Sequence, residues 1–162
     1  MNIKTTSFLM FICVSVVLVM ASCHKSLDPG TTSAAKVSNE WWVNLYLNGE
    51  SQLAHPVKLL TYNTSDSRDS IWVDDEGGNV WNFKCKAKFD SVAATFSTTN
   101  AQNQYYDIKV SITDGKVLPK AAKSKTGVAT DSIYMKINFS DDPGNIYEIK
   151  GYARTNWPGD DY

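Results

Sequence analysis

From Glu40 onward, apolar and polar residues alternate with a period of two, and no sustained apolar spacing of three and four marks a useful helix. The clearest run is Trp81 to Asp90. Trp81, Phe83, Cys85, Ala87 and Phe89 share one face, while Asn82, Lys84, Lys86, Lys88 and Asp90 share the other, which predicts a half-buried strand. Trp41-Val43-Leu45-Leu47, Tyr106-Ile108-Val110-Ile112 and Ile133-Met135-Ile137-Phe139 alternate in the same way. Between the runs lie turn formers: Asn48-Gly49, Glu76-Gly77-Gly78-Asn79, Asp114-Gly115 and Asp141-Asp142-Pro143-Gly144-Asn145.

Strands are therefore expected near 41–48, 57–63, 70–75, 80–90, 91–97, 105–113, 116–119, 131–139 and 146–154, which makes eight or nine. Short links between successive strands predict an all-β, antiparallel, up-and-down meander. Such a meander buries its apolar face by closing into a small barrel, which also removes exposed edges; a β-sandwich is the alternative.

The N-terminal part follows a different pattern. Lys4 precedes an apolar run of 14 residues, Phe8 to Ala21, too short to span a bilayer comfortably and of the length of a secretory signal core. Val19-Met20-Ala21-Ser22-Cys23 resembles a bacterial lipobox, with Met20 in place of the usual Leu as in the relaxed lipoboxes of Bacteroidota. The resemblance implies acylation of Cys23 and a bacterial cell-envelope location, at the outer membrane on either face. Cys13 leaves with the signal and Cys23 is acylated, so Cys85 alone remains and no intrachain disulfide forms. His24 to Asn39 is rich in Ser, Thr, Ala, Pro and Gly and reads as a flexible tether. The expected organisation is signal 1–22, acylated Cys and tether 23–39, and barrel 40–162.

Composition narrows the functional classes. The formal net charge of −1 gives no basic footprint, so no nucleic-acid partner is expected. All 17 aromatic residues outside the signal fall after Asn39, enough to fill a small barrel. A ligand cavity needs small inward residues at one end, and Ala87, Ala93, Ala94, Gly151 and Ala153 are candidates. A filled interior and a cavity both remain open at this point.

Catalytic chemistry finds little support. Only His24 and His55 could serve as a base near neutral pH, and no Gly-x-Ser-x-Gly elbow is present. Cys85 sits on an apolar strand face, where burial makes a thiol inert. Two His and one Cys lack zinc spacing, so no metal and no cofactor is expected. The carboxylates at Asp66, Asp69, Asp74, Asp75 and Glu76, at Asp141-Asp142 and at Asp160-Asp161 lie among turn residues, where Asp accepts from backbone N–H groups. Lys84, Lys86 and Lys88 form a stripe on one strand face, either a plain solvated face or a site for an anionic headgroup. Asp69-Ser70-Ile71, Asp90-Ser91-Val92 and Asp131-Ser132-Ile133 resemble the O-glycosylation acceptor triplets of Bacteroidota, or are turns entering strands.

Five blocks in order, Glu40–Tyr46, Leu60–Thr64, Asp69–Asp75, Ile112–Val117 and Gly151–Thr155, resemble the Bacteroidota lipoproteins described as "lipid-binding putative hydrolase". The resemblance covers residues 38–162 and implies a lipocalin-like barrel on a lipid anchor, with no catalytic motif to carry over. The Gly-x-Trp of true lipocalins is replaced by Asn39-Glu40-Trp41. The implied ligand is a lipid or another apolar or amphipathic small molecule, with Tyr62, Trp72, Tyr134 and Tyr152 as candidate contacts. Barrel closure would bring Trp41 and Trp42 to Arg154, with the guanidinium over an indole. A filled-barrel interaction or structural lipoprotein is the second reading, with an unknown protein partner, and an esterase-like hydrolase is the third.

Overall fold

The computed structural model describes residues 30–65 and 67–162. The expected signal, Cys23, His24 and Asp66 lie outside the described residues. The strands are β1 (Asn39–Leu47), β2 (Glu50–Ser51), β3 (Val57–Asn63), β4 (Ser70–Asp74), β5 (Lys84–Asp90), β6 (Thr95–Gln102), β7 (Lys109–Lys123), β8 (Ala129–Phe139) and β9 (Tyr147–Ala153). A single 3₁₀ turn, Pro158–Asp160, follows, and no α-helix occurs among the described residues.

Each strand pairs antiparallel with its neighbour, and β1 pairs with β9 from Trp41 opposite Ala153 to Tyr46 opposite Glu148. The sheet is thus a closed barrel. Tyr46 pairs with Glu148 on one side and with Ser51 on the other, so β2 lies on the β3 side of β1. Eight strands form the wall, and β2 is a short extra piece separated from β3 by the link carrying His55 and Pro56. Because the strands alternate up and down, Thr31 and the C-terminal segment lie at one end, here called proximal, with the β5–β6 and β7–β8 turns. The β4–β5, β6–β7 and β8–β9 loops form the distal end.

Side chains fill the interior. Trp41, Val43, Leu45, Leu59, Ile71, Val73, Cys85, Ile112, Ile133, Met135, Ile137 and Ile149 are buried on the inward positions of seven strands. Ala87, Ala94 and Ala153, candidates for an open cavity end, belong to the same packed core, while Ala93 is exposed in a turn. A Cβ on Gly151 would stand 2.6 Å from Val43 Cγ1, so its small size serves close approach of β9 to β1.

Several details differ from the sequence reading, among them the strands expected from 91 and from 105, which begin only at Thr95 and Lys109. The folded unit starts at Thr31, before the expected boundary at residue 40: Ala34 and Val37 are buried in the core, and Ser33 Oγ donates to the Arg68 carbonyl at 2.7 Å. The expected strand over 80–90 begins only at Lys84, because the Asp75 carboxylate takes the backbone N–H groups of Val80, Trp81, Asn82 and Phe83 away from any ladder. Asp114-Gly115 is no turn: it is a bulge inside the 15-residue β7, with Asp114 at φ 55° and Gly115 packed against the Phe96 ring.

Candidate functional site

With the inner face closed to ligands by its own packing, the outer face carries the chemistry. On β4, Ile71 and Val73 point in, so Trp72 points out, opposite Tyr62 on β3 and Lys86 on β5. Lys84 Nζ lies 5.3 Å from the Tyr62 ring centre and 5.2 Å from that of Trp72, and Lys86 Nζ lies 5.0 Å from Trp72. These distances are within cation–π range.

Beside this patch the wall is discontinuous. β5 and β6 pair only through Lys88–Ser97, Phe89–Phe96 and Asp90–Thr95, then diverge. Distally the gap is closed again: Gln104 N donates to the Lys84 carbonyl at 2.9 Å and Lys84 N to Asn103 Oδ1 at 2.8 Å. A depression of about 590 Å³ follows the divergence, lined by Trp72, Lys86, Ala87, Thr98, Ala101 and Gln104 among others. A second, of about 790 Å³, lies over β5–β8 with Phe89, Phe96 and Gly115, and Lys88, Lys116, Tyr134 and Lys136 around it. Both include Lys88, so they adjoin in one strip along β5. Lys116 Nζ lies 5.1 Å from the Tyr134 ring centre, and Lys136 pairs with Asp114 at 2.8 Å.

The distal rim of the strip is fixed by Asp74, which is nearly inaccessible. Its carboxylate accepts from Tyr62 Oη at 2.7 Å, Tyr105 Oη at 2.6 Å and Glu76 N at 2.9 Å, and pairs with Lys84 Nζ at 3.1 Å. Burial alone would raise its pKa, but the Tyr105 and Tyr62 hydroxyls, the Glu76 N–H and Lys84 together hold it below the ordinary value. Burial and Asp74 in turn push Tyr105 up to about 12. The neighbouring Asp75 is a structural hub: its two oxygens accept six backbone N–H groups, from Gly77, Gly78, Val80, Trp81, Asn82 and Phe83.

The sequence candidates are distributed accordingly. Trp72 and Tyr134 line the two depressions, Tyr62 stands next to Trp72, and Tyr152 lies apart, its hydroxyl donating to Tyr162 at 3.1 Å. All four are on outward positions. Trp41, Trp42 and Arg154 lie at the β1–β9 seam, where carboxylates hold the guanidinium: Nε and Nη2 donate to Asp161 at 2.8 and 2.7 Å, and Nη1 to Glu40 at 2.8 Å. Trp42 meets Tyr162 edge-on, ring centres 5.3 Å apart. Cys85 is fully buried and its thiol is pushed up to about 12 by that burial. His55 is exposed, with Nδ1 3.1 Å from the Pro56 carbonyl. Among the described residues no group of three His, Cys, Asp or Glu side chains is placed to hold a metal.

Sequence alternation missed Phe96, Gly115 and Lys116, because Asp114-Gly115 read as the end of a strand and separated residues that the bulge keeps together. The usable clue was the Gly itself, which a strand interior accepts where another group approaches closely.

Comparison with known proteins adds three findings. A crystal structure of a protein of unknown function from Bacteroides ovatus is similar at a TM-score of 0.46 and 19% identity, over 75% of this chain and 43% of that one. The curated proteins contain no match. A family model described as "lipid-binding putative hydrolase" matches residues 26–158, nearly the whole length beyond the apolar N-terminal run. This closed all-β barrel therefore belongs to the lipid-binding putative hydrolase family.

Proposed function

We propose that the protein is a cell-envelope lipoprotein, held by an acylated Cys23, that binds a lipid-like amphipath on the outside of its barrel. The observation that carries the reading is the strip along β5. Trp72, Phe89 and Ala101, each partly exposed, offer apolar surface for an alkyl chain, and Lys88 and Lys116 offer cations for an acidic head. The family description supports a lipid ligand, and the packed interior favours the outer face over the lumen. Among the described residues no imidazole stands beside a nucleophile to carry the hydrolase half of that description, since His55 is exposed in a link with a backbone carbonyl as its ring partner.

The test is calorimetric titration of residues 24–162, which contain the whole closed barrel, with laurate and lauroyl lysophospholipids below their micellar concentrations. A Kd below about 100 μM, equivalent to about −5.5 kcal/mol, with a negative heat-capacity change supports the reading. Lys116→Glu should weaken binding of the anionic members selectively. If no member binds, the sealed interior favours the second reading, a barrel that works as an interaction or structural lipoprotein through a protein partner. Acylation is tested separately by labelled palmitate, which should enter the wild-type chain and not Cys23→Ala.

A further inference from the structure

The two ends of the barrel differ in character, and the difference points to a partner. At the distal end acidic groups dominate and tyrosines tie them down: Tyr106 Oη donates to Asp141 at 2.6 Å and Tyr147 Oη to Asp142 at 2.5 Å, beside the buried Asp74 and Asp75. At the proximal end apolar side chains stand free. Val92 is 86% exposed, Trp157 63%, Val128 52% and Leu118 48%, against Ile146 at 62% among the acidic groups of the distal end.

These four residues belong to one end. Val117 N donates to the Ala94 carbonyl at 2.9 Å, which joins β7 to the turn holding Val92. Thr126 N donates to Asp160 Oδ1 at 2.7 Å and Lys125 Nζ to the Asp161 carbonyl at 3.1 Å, which joins the β7–β8 hairpin to the segment holding Trp157. The hairpin also runs past its neighbour. β6 starts opposite Lys116, yet β7 continues to Lys123, about 20 Å further along the strand. On this projection Lys120, Lys123 and Lys125 are interspersed with Leu118 and Val128.

We infer that the proximal end, led by the β7–β8 hairpin and Trp157, is a docking surface for an anionic bilayer. Its apolar tips suit the headgroup boundary, and a Trp is favoured at such an interface. Its lysines suit the surface charge of acidic lipids. Chain geometry agrees. Thr31 enters the barrel at this end and lies eight positions after Cys23, so an acylated Cys23 would hold this end within about 29 Å of the membrane. The docking surface adjoins the strip along β5 at the β5–β6 turn, where Asp90 and Thr95 line the larger depression, and does not require acylation.

The experiment is therefore done without the anchor. Residues 24–162 are sedimented with phosphatidylcholine vesicles containing either no or 30% phosphatidylglycerol, at low and at high salt. Binding is expected to the anionic vesicles at low salt and to fall at high salt. Lys120→Glu/Lys123→Glu should reduce it by about tenfold or more, since each lysine near an anionic surface is worth about fivefold. Leu118→Asn/Val128→Asn should reduce it at both salt concentrations, and Lys109→Glu at the distal end should leave it unchanged. These positions are exposed, and unfolding curves matching wild type verify the fold. Equal partition onto both vesicle types, or a loss on Lys109→Glu as large as that on Lys120→Glu/Lys123→Glu, would overturn the inference. Laurate binding plays no part in this readout, so failure of one proposal leaves the other standing.

Discussion

The indole of Trp41 is tied to Thr61: Nε1 donates to Oγ1 at 2.8 Å, and the same hydroxyl donates to the Val37 carbonyl at 2.5 Å. One side chain on β3 thus joins the first residues of β1 to the segment that covers the proximal end of the core. Both bonds are buried, so neither loose end would find water.

Replacing Thr61 by Val keeps the shape, strands the two buried partners and also frees the part-buried Asn39 N–H, which donates to the same oxygen at 3.2 Å. Each unsatisfied buried group costs about 1–3 kcal/mol, so a loss of at least about 2 kcal/mol is expected in urea unfolding. Adding Trp41→Phe to Thr61→Val should cost less than the two single changes summed, because the donor and the acceptor are then removed together.

Asp75 should be the most sensitive carboxylate of the fold. Asp75→Asn removes the charge and one acceptor oxygen from a loop whose six N–H groups converge on it. Hydrogen bonds to charged groups contribute about 1.5–3 kcal/mol each, so a destabilisation of about 3 kcal/mol or more is expected. Glu76→Gln next door, exposed and paired with Lys58 at the surface, should change stability by less than about 1 kcal/mol.

Asp160 gives an acid limb to the stability curve. Burial opposes its charge, but hydrogen bonds from Thr155 and Thr126 outweigh that and bring it down to about 2 from the ordinary 3.8. A carboxyl depressed in the folded state contributes fully above its unfolded pKa and loses that contribution as pH falls through the folded one. Wild-type stability should therefore fall between about pH 4 and pH 2 more steeply than that of Asp160→Asn, measured by thermal unfolding at each pH.

Gly151→Ala tests the closure. The new methyl would meet Val43 and the backbone of Trp42, neither of which can swing aside, so about 1–3 kcal/mol should be lost. The same change at Gly49, where a Cβ meets nothing within 4 Å, costs only the strain of its φ of 87°.

Much of the fold was legible because burial on one face of a strand imposes a period of two. β3, β4, β8 and β9 fall within a few residues of their expected limits, and the inward set with Cys85 follows from alternation alone. What was not legible was decided by side-chain contacts beyond the alternation of any one strand. Nothing local says that Asp75 will capture the amides of 80–83, or that Tyr105 and Tyr106 will leave their strand pattern to reach Asp74 and Asp141. The site was half legible: Trp72 and Tyr134 stood out as aromatic residues, but their facing outward depends on the register that closes the barrel. Whether the interior was hollow could not be read from composition, since it depends on how the inward side chains of all the strands pack together.

The short pairing of β5 with β6 has a dynamic consequence. With three residue pairs there against six at the β1–β9 seam, the wall should breathe first between β5 and β6. Amides of Thr98 to Ala101 would then exchange hydrogen for deuterium sooner than those of Val43 to Leu45. A barrel that is solid at rest would still have a preferred line along which to part, beside the depression that Trp72 lines.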